Sequence, residues 1–409
     1  VTASKSAGSG TGATRLVLGL GAAQTLAWAS SYYLPAILAA PMAPDLGLGV
    51  PTVFAVFSGA LLISAGVAPL AGRHIDRHGG RGLLGGTSLM FALGLVLLGC
   101  AQGLWSLIAA WAVLGAAMGA GLYEAAFATL VRLRGPDARS TITGITLLAG
   151  LASTIGWPLS AWLETQFGWR GACFAWAGLH LVLGLPLNCT LPRPSPALRQ
   201  PAQAAAGASE ASGTPTPAPL AHPWRTTVLL AWAFAATWFV GTALATHLPR
   251  MLMAAGATLA AAVAVAALVG PAQVAGRVLE FGLLRHLHPL WSARVAALGH
   301  PLGGAALWLL GTPVAAAYAV LHGLGHGILT ISKGTLPLAL FGPLGYGLRQ
   351  GWLSMPARLA QAAAPFSFGL ALEHAGAAAV LLLVGVALTG AAALWALPLT
   401  GSASPRTDR

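Results

Sequence analysis

The stretch "AGRHIDRHGGRGLLGG", Ala71–Gly86, packs Arg73, Asp76, Arg77 and Arg81 into nine positions, with His74 and His78 between them. Only 7% of the 409 residues are charged, so the cluster stands out. A long apolar run lies on each side of it. A bilayer core of about 30 Å takes about twenty apolar residues per crossing helix. A short charged hairpin between two such runs belongs at a membrane surface, where arginines sit at headgroup level and hold orientation.

The rest of the chain repeats this pattern. Hydrophobic residues make up 56%, whereas soluble domains carry about 25% charged residues. So little charge cannot cover a surface that faces water. The fold class is an all-α integral membrane protein; the alternating pattern of a membrane barrel is absent. Apolar runs predict about twelve transmembrane helices, at 15–38, 52–71, 82–101, 105–130, 140–163, 172–190, 225–248, 257–281, 290–310, 313–340, 346–371 and 376–398. No cleavable signal peptide is evident, because the first run is long enough to span.

Between the sixth and seventh runs, Leu191–Pro223 is rich in Pro, Ala, Ser and Thr and reads as a flexible linker. The expected domains are an N-terminal six-helix bundle at 1–190, the linker at 191–223, and a C-terminal six-helix bundle with a short tail at 224–409. With the N-terminus inside, Lys5, Arg15, Arg73, Arg77, Arg81, Arg132, Arg134, Arg139, Arg193, Arg199, Arg225, Arg285, Arg349, Arg406 and Arg409 fall at or near the cytoplasmic face. Only Arg170 and Arg250 fall outside. The positive-inside rule therefore places both termini and the linker in the cytoplasm. The net charge of +12 reads as this loop bias rather than as a nucleic-acid footprint. Arg greatly outnumbers Lys and Ala and Gly are abundant, which fits a GC-rich bacterial genome and hence a bacterial inner membrane. Cys100, Cys173 and Cys189 lie in apolar runs without metal-site spacing.

Gly72, Asp76, Arg77, Gly79 and Arg81 resemble the loop signature of the major facilitator superfamily, a glycine-x-x-x-aspartate-arginine-x-glycine-x-arginine pattern after the second helix. "FGWR", Phe167–Arg170, resembles that family's segment before helix six. The twelve-helix layout and central linker extend the resemblance over the chain. It implies two pseudo-symmetric bundles, a substrate site between them near mid-membrane, and transport by alternating access. It also implies that the Gly72–Arg81 loop latches the halves in the outward-open state, with Asp76 facing a helix N-terminus of the other half; simple topology anchoring is the other reading. "AGRHID", Ala71–Asp76, is echoed by "AGRVLE", Ala275–Glu280. Two marks of proton-coupled drug exporters are missing. Trp111 stands where they carry an arginine in helix four, and "GWPLSAW", Gly156–Trp162, lacks their paired glycines.

Charge inside hydrocarbon costs at least about 2.5–3.5 kcal/mol and faces a bundle interior. The candidates are Glu124, Arg277, Glu280, Lys333 and Arg358. Arg277 and Glu280 are three apart and able to pair. Otherwise Arg277 is free to meet a carboxylate with its planar fork. An arginine in helix eight and a base in helix eleven resemble the cation pair of monocarboxylate and oxalate carriers. The resemblance gives that role to Arg277 and Arg358, though Gln273 replaces the acid four residues before Arg277. Lys333 either joins the substrate site or snorkels to the cytoplasmic face. Tyr32 and Tyr123 are candidate cavity-lining residues, or ordinary packing. Glu124 either takes up and releases a proton each cycle or pairs permanently with a base across the cavity. His322 and His326 share a helical face but lack a third metal ligand.

The expected function is secondary transport of a small organic anion, of mono- or dicarboxylate type; proton-driven export of an amphipathic drug or metabolite is the alternative. An enzyme would need a cluster of acids, His or a nucleophile, which the sequence does not offer. No Gly-rich loop with Lys-Ser/Thr is present, so direct ATP drive is disfavoured and no cofactor is implied. The implied partners are the lipid bilayer and the substrate. The charge bias makes a prediction. A cysteine placed in the 191–223 linker should resist an impermeant thiol reagent in intact, correctly oriented cells and react once the membrane is opened. Labelling in intact cells would overturn the topology.

Overall fold

The computed structural model describes residues 7–192 and 223–399. The central part of the expected linker, 193–222, lies outside the described residues, as do Lys5, Arg193, Arg199, Arg406 and Arg409. The described residues are almost entirely helical. Seven helical stretches are long and apolar enough to cross a membrane. One of these, Leu104–Cys189, has 86 residues, about 130 Å of helix at 1.5 Å per residue. It is therefore several crossings in series, and the backbone shows where they part. Gly135 (φ 59°) opens the turn Gly135–Asp137, and Gly168 (φ 68°) breaks the helix Ala152–Leu179. Likewise Gly376 (φ 54°) separates Tyr346–Ala375 from Ala379–Trp395. Glycine occupies these corners because positive φ costs it nothing.

Counted this way, the described residues form twelve elements. In the first half they are α1 (Ala7–Ala29, resuming as Pro35–Asp45), α2 (Val50–His78), α3 (Arg81–Gly99), α4 (Leu104–Gly121 and Tyr123–Arg134), α5 (Ala138–Ala149 and 152–167) and α6 (169–189). In the second they are α7 (Pro223–Ala254), α8 (Leu259–Ala267 and Val269–Gly282), α9 (Pro289–Leu310), α10 (Ala315–Phe341), α11 (Tyr346–Ala375) and α12 (Ala379–Trp395).

Of the breaks inside these elements, two shape the site. In α1 the helix stops at Ala29 and resumes at Pro35. The hydroxyls of Ser30 and Ser31 turn back to the carbonyls of Leu26 and Ala27, and Pro35 has no N–H to continue the ladder. Tyr32 and Tyr33 sit in this break. In α4, Leu122 is extended (φ −85°, ψ −163°), so a new helix starts at Tyr123. That start puts Glu124 in a first turn, where the helix dipole favours negative charge.

The halves meet where α2 and the second part of α4 run against α11, and α5 against α8 and α10. The α2–α11 contact is backbone on backbone. A Cβ added at Gly72 would strike the Gly347 carbonyl, and one at Gly351 would strike Pro69. One end of the molecule is basic: the ends of α2, α4 and α8 and the starts of α3, α5 and α11 bring Arg73, Arg77, Arg81, Arg132, Arg134, Arg139, Arg285 and Arg349 there. At this end Arg294 of α9 donates to the carbonyls of Leu394, Trp395 and Leu397, while Trp291 and Trp395 flank its guanidinium. It thereby caps α12 with a cation.

The tight α2–α11 crossing is testable. Gly→Ala inside a helix ordinarily stabilises it by about 1 kcal/mol. Gly351→Ala should instead lower the melting temperature of the purified protein by several degrees, because the methyl has nowhere to go. An unchanged or higher melting temperature would show that α2 and α11 are not in backbone contact.

Candidate functional site

The helix break in α4 aims Glu124 across the interface. Its Oε1 accepts from Lys333 Nζ of α10 at 2.6 Å, and its Oε2 accepts from Arg358 Nη2 of α11 at 2.7 Å. All three residues are at most 5% exposed. Among the described residues, the acidic partner of each of these two second-half cations is thus the same carboxylate of the first half. Lys333 Nζ also lies 4.4 Å from the centre of the Trp238 ring on α7, a cation–π contact strengthened by desolvation. Gln350 Nε2 donates to the Lys333 carbonyl and Tyr346 Oη to that of Gly334, fixing α10 against α11 around the cluster. The cluster carries two cations and one anion. Charges taken this far out of water are costly, and removing one partner of a buried pair is strongly destabilising.

Arg277 of α8 is also buried, but it does not join this cluster. It forms no ion pair among the described residues, and its Nε has no partner. The fork lies against Gly150 of α5, where any side chain would strike Nη1. The pairing of Arg277 with Glu280 considered above does not occur: Glu280 Oε1 accepts instead from Arg139 Nη2 of α5 at 3.4 Å. Arg277 and Arg358 therefore do not share one carboxylate in this conformation, since Arg358 is already held by Glu124. Lys333 does not snorkel; it points into the interface.

Tyr32 reaches the second half directly, accepting from Gln361 Nε2 of α11 at 3.3 Å. Tyr123 stacks on Phe127 and lies 4.9 Å from the Trp28 ring, which also packs against Tyr32 and Tyr33. The buried Trp28 Nε1 has no partner. The first half thus contributes rings and one acid, and the second half contributes cations.

The opening motif lies at the basic end of the same interface. Asp76 Oδ1 accepts from the Gly347 N–H at 2.9 Å, and Oδ2 from the Leu348 N–H at 2.8 Å. These are orphan donors of the first turn of α11, so a carboxylate there gains both hydrogen bonds and the dipole. Gly72 permits the approach, and Gly79 (φ 85°) ends α2. Arg77 is exposed and Arg81 half-buried; among the described residues neither bonds to the second half. The echo of the motif also bridges the halves: Glu280 ends α8 and meets Arg139 at the start of α5, while Arg139 Nη1 donates to Leu287 O. At the opposite end, the described ion pairs Arg170–Asp45 and Arg250–Glu373 each stay within one half.

Sequence reasoning missed Gln361, Gly347, Gly351 and the link from Arg139 to Glu280. Their types carry no signal of a partner hundreds of positions away. It also missed His300, whose Nδ1 lies 3.2 Å from His322 Nδ1. Among the described residues no group of three or more His, Cys, Asp or Glu is arranged to hold a metal.

Several known proteins are similar to this chain. Two curated relatives from Mycobacterium tuberculosis strains, each named multidrug resistance protein B homolog, are 34% identical over 127 residues, which is 31% of this chain and 23% of theirs. The solved human organic anion transporter MFSD10 (TETRAN) superposes with a TM-score of 0.70 at 17% identity, covering 93% of this chain and 98% of that one. The proton:xylose symporter XylE gives 0.67 at 14% identity, with 94% of each chain covered. A variant of the E. coli fucose:proton symporter FucP gives 0.69 at 14% identity, with 92% and 97% covered. The family model of the Major Facilitator Superfamily matches residues 20–314. With that match over well over half its length, twelve helical elements and superposition on transporters of this fold, the chain belongs to the Major Facilitator Superfamily and is a multi-pass membrane transporter, not an enzyme.

Proposed function

We propose that this transporter moves a small organic anion, of mono- or dicarboxylate type, by alternating access across a bacterial cytoplasmic membrane, with both termini inside. The observation that carries the reading is Arg277, a buried guanidinium at the interface of the halves with no acidic partner among the described residues. Around it the interface holds Lys333 and Arg358 against the single carboxylate of Glu124. An incoming carboxylate offsets that excess, and a planar fork binds it with two parallel hydrogen bonds. The printed name of MFSD10, an organic anion transporter, supports the same class at the level of analogy.

In this reading Glu124 stands in for the substrate. It holds Lys333 and Arg358 in place when no anion is bound, and a substrate carboxylate competes for them. Both Glu124 oxygens are engaged by cationic donors, which favours the permanent-pair reading over proton carriage by this residue in the described conformation. Asp76 on the start of α11 and Glu280 with Arg139 act as two latches that keep the basic end shut while the other end opens. Drug export remains the second reading. It is favoured by the name of the mycobacterial relatives and by the Trp28, Tyr32, Tyr33 and Tyr123 rings. A cationic drug would meet repulsion from Arg277.

Counterflow of labelled lactate, succinate and benzoate in proteoliposomes tests the anion reading; saturable exchange of at least one is expected, and exchange of none would overturn it. Arg277→Gln should raise the half-saturating concentration by roughly ten- to a hundredfold, the worth of charge-assisted hydrogen bonds, without lowering the amount of folded protein. Arg277→Lys should recover only part, since an ammonium lacks the paired planar contacts. An unchanged half-saturating concentration in Arg277→Gln would remove Arg277 from the site.

Glu124→Gln leaves two buried cations without their carboxylate. It should destabilise the protein by about 3–5 kcal/mol, read as loss of folded protein in a thermal melt. Lys333→Met added to it should restore part of that loss. A single Glu124→Gln variant as stable as the parent would show that the ion cluster does not hold the halves together.

A further inference from the structure

A cavity lies inside the second half, between α7, α9, α10 and α12. Its volume of about 30 Å³ is room for a buried water. Its polar lining is Thr237, His300, His322 and His326; the rest is small and apolar, and α12 contributes only Ala387 and Ala391. His300 Nδ1 and His322 Nδ1 are 3.2 Å apart, and the ring of His326 lies 5.7 Å from that of His322. Both His300 Nε2 and the nearby Tyr318 hydroxyl are buried without a partner in the protein. Buried polar atoms left open are expensive unless something binds them. His326 in turn packs on Trp238, 5.5 Å between ring centres, and Lys333 Nζ lies over that same indole. Three imidazoles thus run from a cavity to the edge of the Glu124 cluster.

We infer that the His300–His322 pair, with His326 beside it, is a proton-binding site inside the second half. The geometry sets the tautomers. Two Nδ1 atoms at hydrogen-bond distance require one to donate and the other to accept. When His300 donates, its Nε2 carries a lone pair facing no protein group. A proton delivered by water in the cavity binds there and gives an imidazolium, whose Nδ1–H stays bonded to His322 Nδ1. The proton then passes along that bond to His322 without movement of either ring, and His300 is left neutral with its proton on Nε2. No other bond is made or broken.

The charged and titratable groups facing the site are few. On α10 they are Tyr318, His322, His326 and Lys333; on α9, His300; on α8, Arg277, whose field reaches His326. The lining given by α7 and α12 holds none. Arg277 and Lys333 oppose a proton at the site. An anion that settles on those cations removes the opposition, so substrate and proton favour each other's binding. This coupling rests on the anion reading above; proton binding itself does not.

The test needs no substrate. In protein labelled with 15N-histidine and held in lipid vesicles, solid-state NMR should show a correlation between two Nδ1 atoms at about pH 8.5, and an imidazolium signal growing on that same pair towards about pH 5. His300→Asn and His322→Asn should each abolish both signals. The wild-type correlation identifies the pair even where a variant fails to fold. A pair that stays neutral over the whole range, or an imidazolium signal retained in both folded variants, would overturn the site. The link is read separately. Adding whichever of lactate, succinate or benzoate shows counterflow should raise the imidazolium fraction at about pH 6 at least twofold, and Arg277→Gln should abolish that rise. No rise with an exchanging anion would refute the coupling alone; no exchanging anion would refute the anion reading and the coupling together, leaving the proton site to stand or fall on the first spectra.

Discussion

A single carboxylate, Glu124, is shared by Lys333 and Arg358, and the arrangement of the whole interior depends on it. In a low-dielectric interface an ammonium or guanidinium is costly, and a close carboxylate offsets much of that cost. The two cations sit on α10 and α11 and the acid on α4, so pairing them fixes three helices from both halves at one point. The two short contacts tie the positions of α10 and α11 to that of α4. The ion cluster carries a net positive charge, and Arg277 adds another, so the described interface holds more cations than anions.

The breaks in the helices serve the same end. A continuous helix through Leu122 would turn Glu124 into an interior residue of a long span with its carboxylate competing against a fully satisfied backbone. The extended residue at 122 creates a helix start instead, and the free N–H groups there help to solvate the acid. The break after Ala29 likewise frees Tyr32 to reach Gln361. Irregular backbone at membrane depth is tolerated only where protein surrounds it or a cavity adjoins it, and both breaks lie against the interface.

A two-fold likeness between the halves runs through the chemistry as well as the helices. Asp76 at the end of the second element meets the start of the eleventh, and Glu280 at the end of the eighth meets the start of the fifth. One bridge uses backbone N–H groups and the other an arginine, so the device is repeated while its donors differ. The placement of histidine repeats too. In the first half a narrow crevice between α1, α3, α4 and α6, the counterparts of the helices around the three-histidine cavity, holds His180.

Much of this was legible in the residues themselves. Apolar run length, the sparse charge and the placement of Arg77 and Arg81 between runs dictated a helical membrane protein of about twelve spans, because only a closed backbone ladder survives in hydrocarbon. The echo of "AGRHID" in "AGRVLE" pointed to the duplication, and the acid of the first copy was expected to face a helix N-terminus of the other half. The rarity of interior charge singled out Glu124, Arg277, Lys333 and Arg358, since each must be explained at a cost. Which of them meet was decided only by tertiary structure. Glu280 was three positions from Arg277, the spacing of a helical pair, yet it turned to Arg139, 141 positions away. Lys333 was long enough to reach a headgroup, yet it found Glu124, 209 positions away. Spacing along one helix states which pairs are within reach. The choice among them belongs to the faces that two packed halves present to each other, and that is a property of three-dimensional contact, which no local stretch of sequence contains.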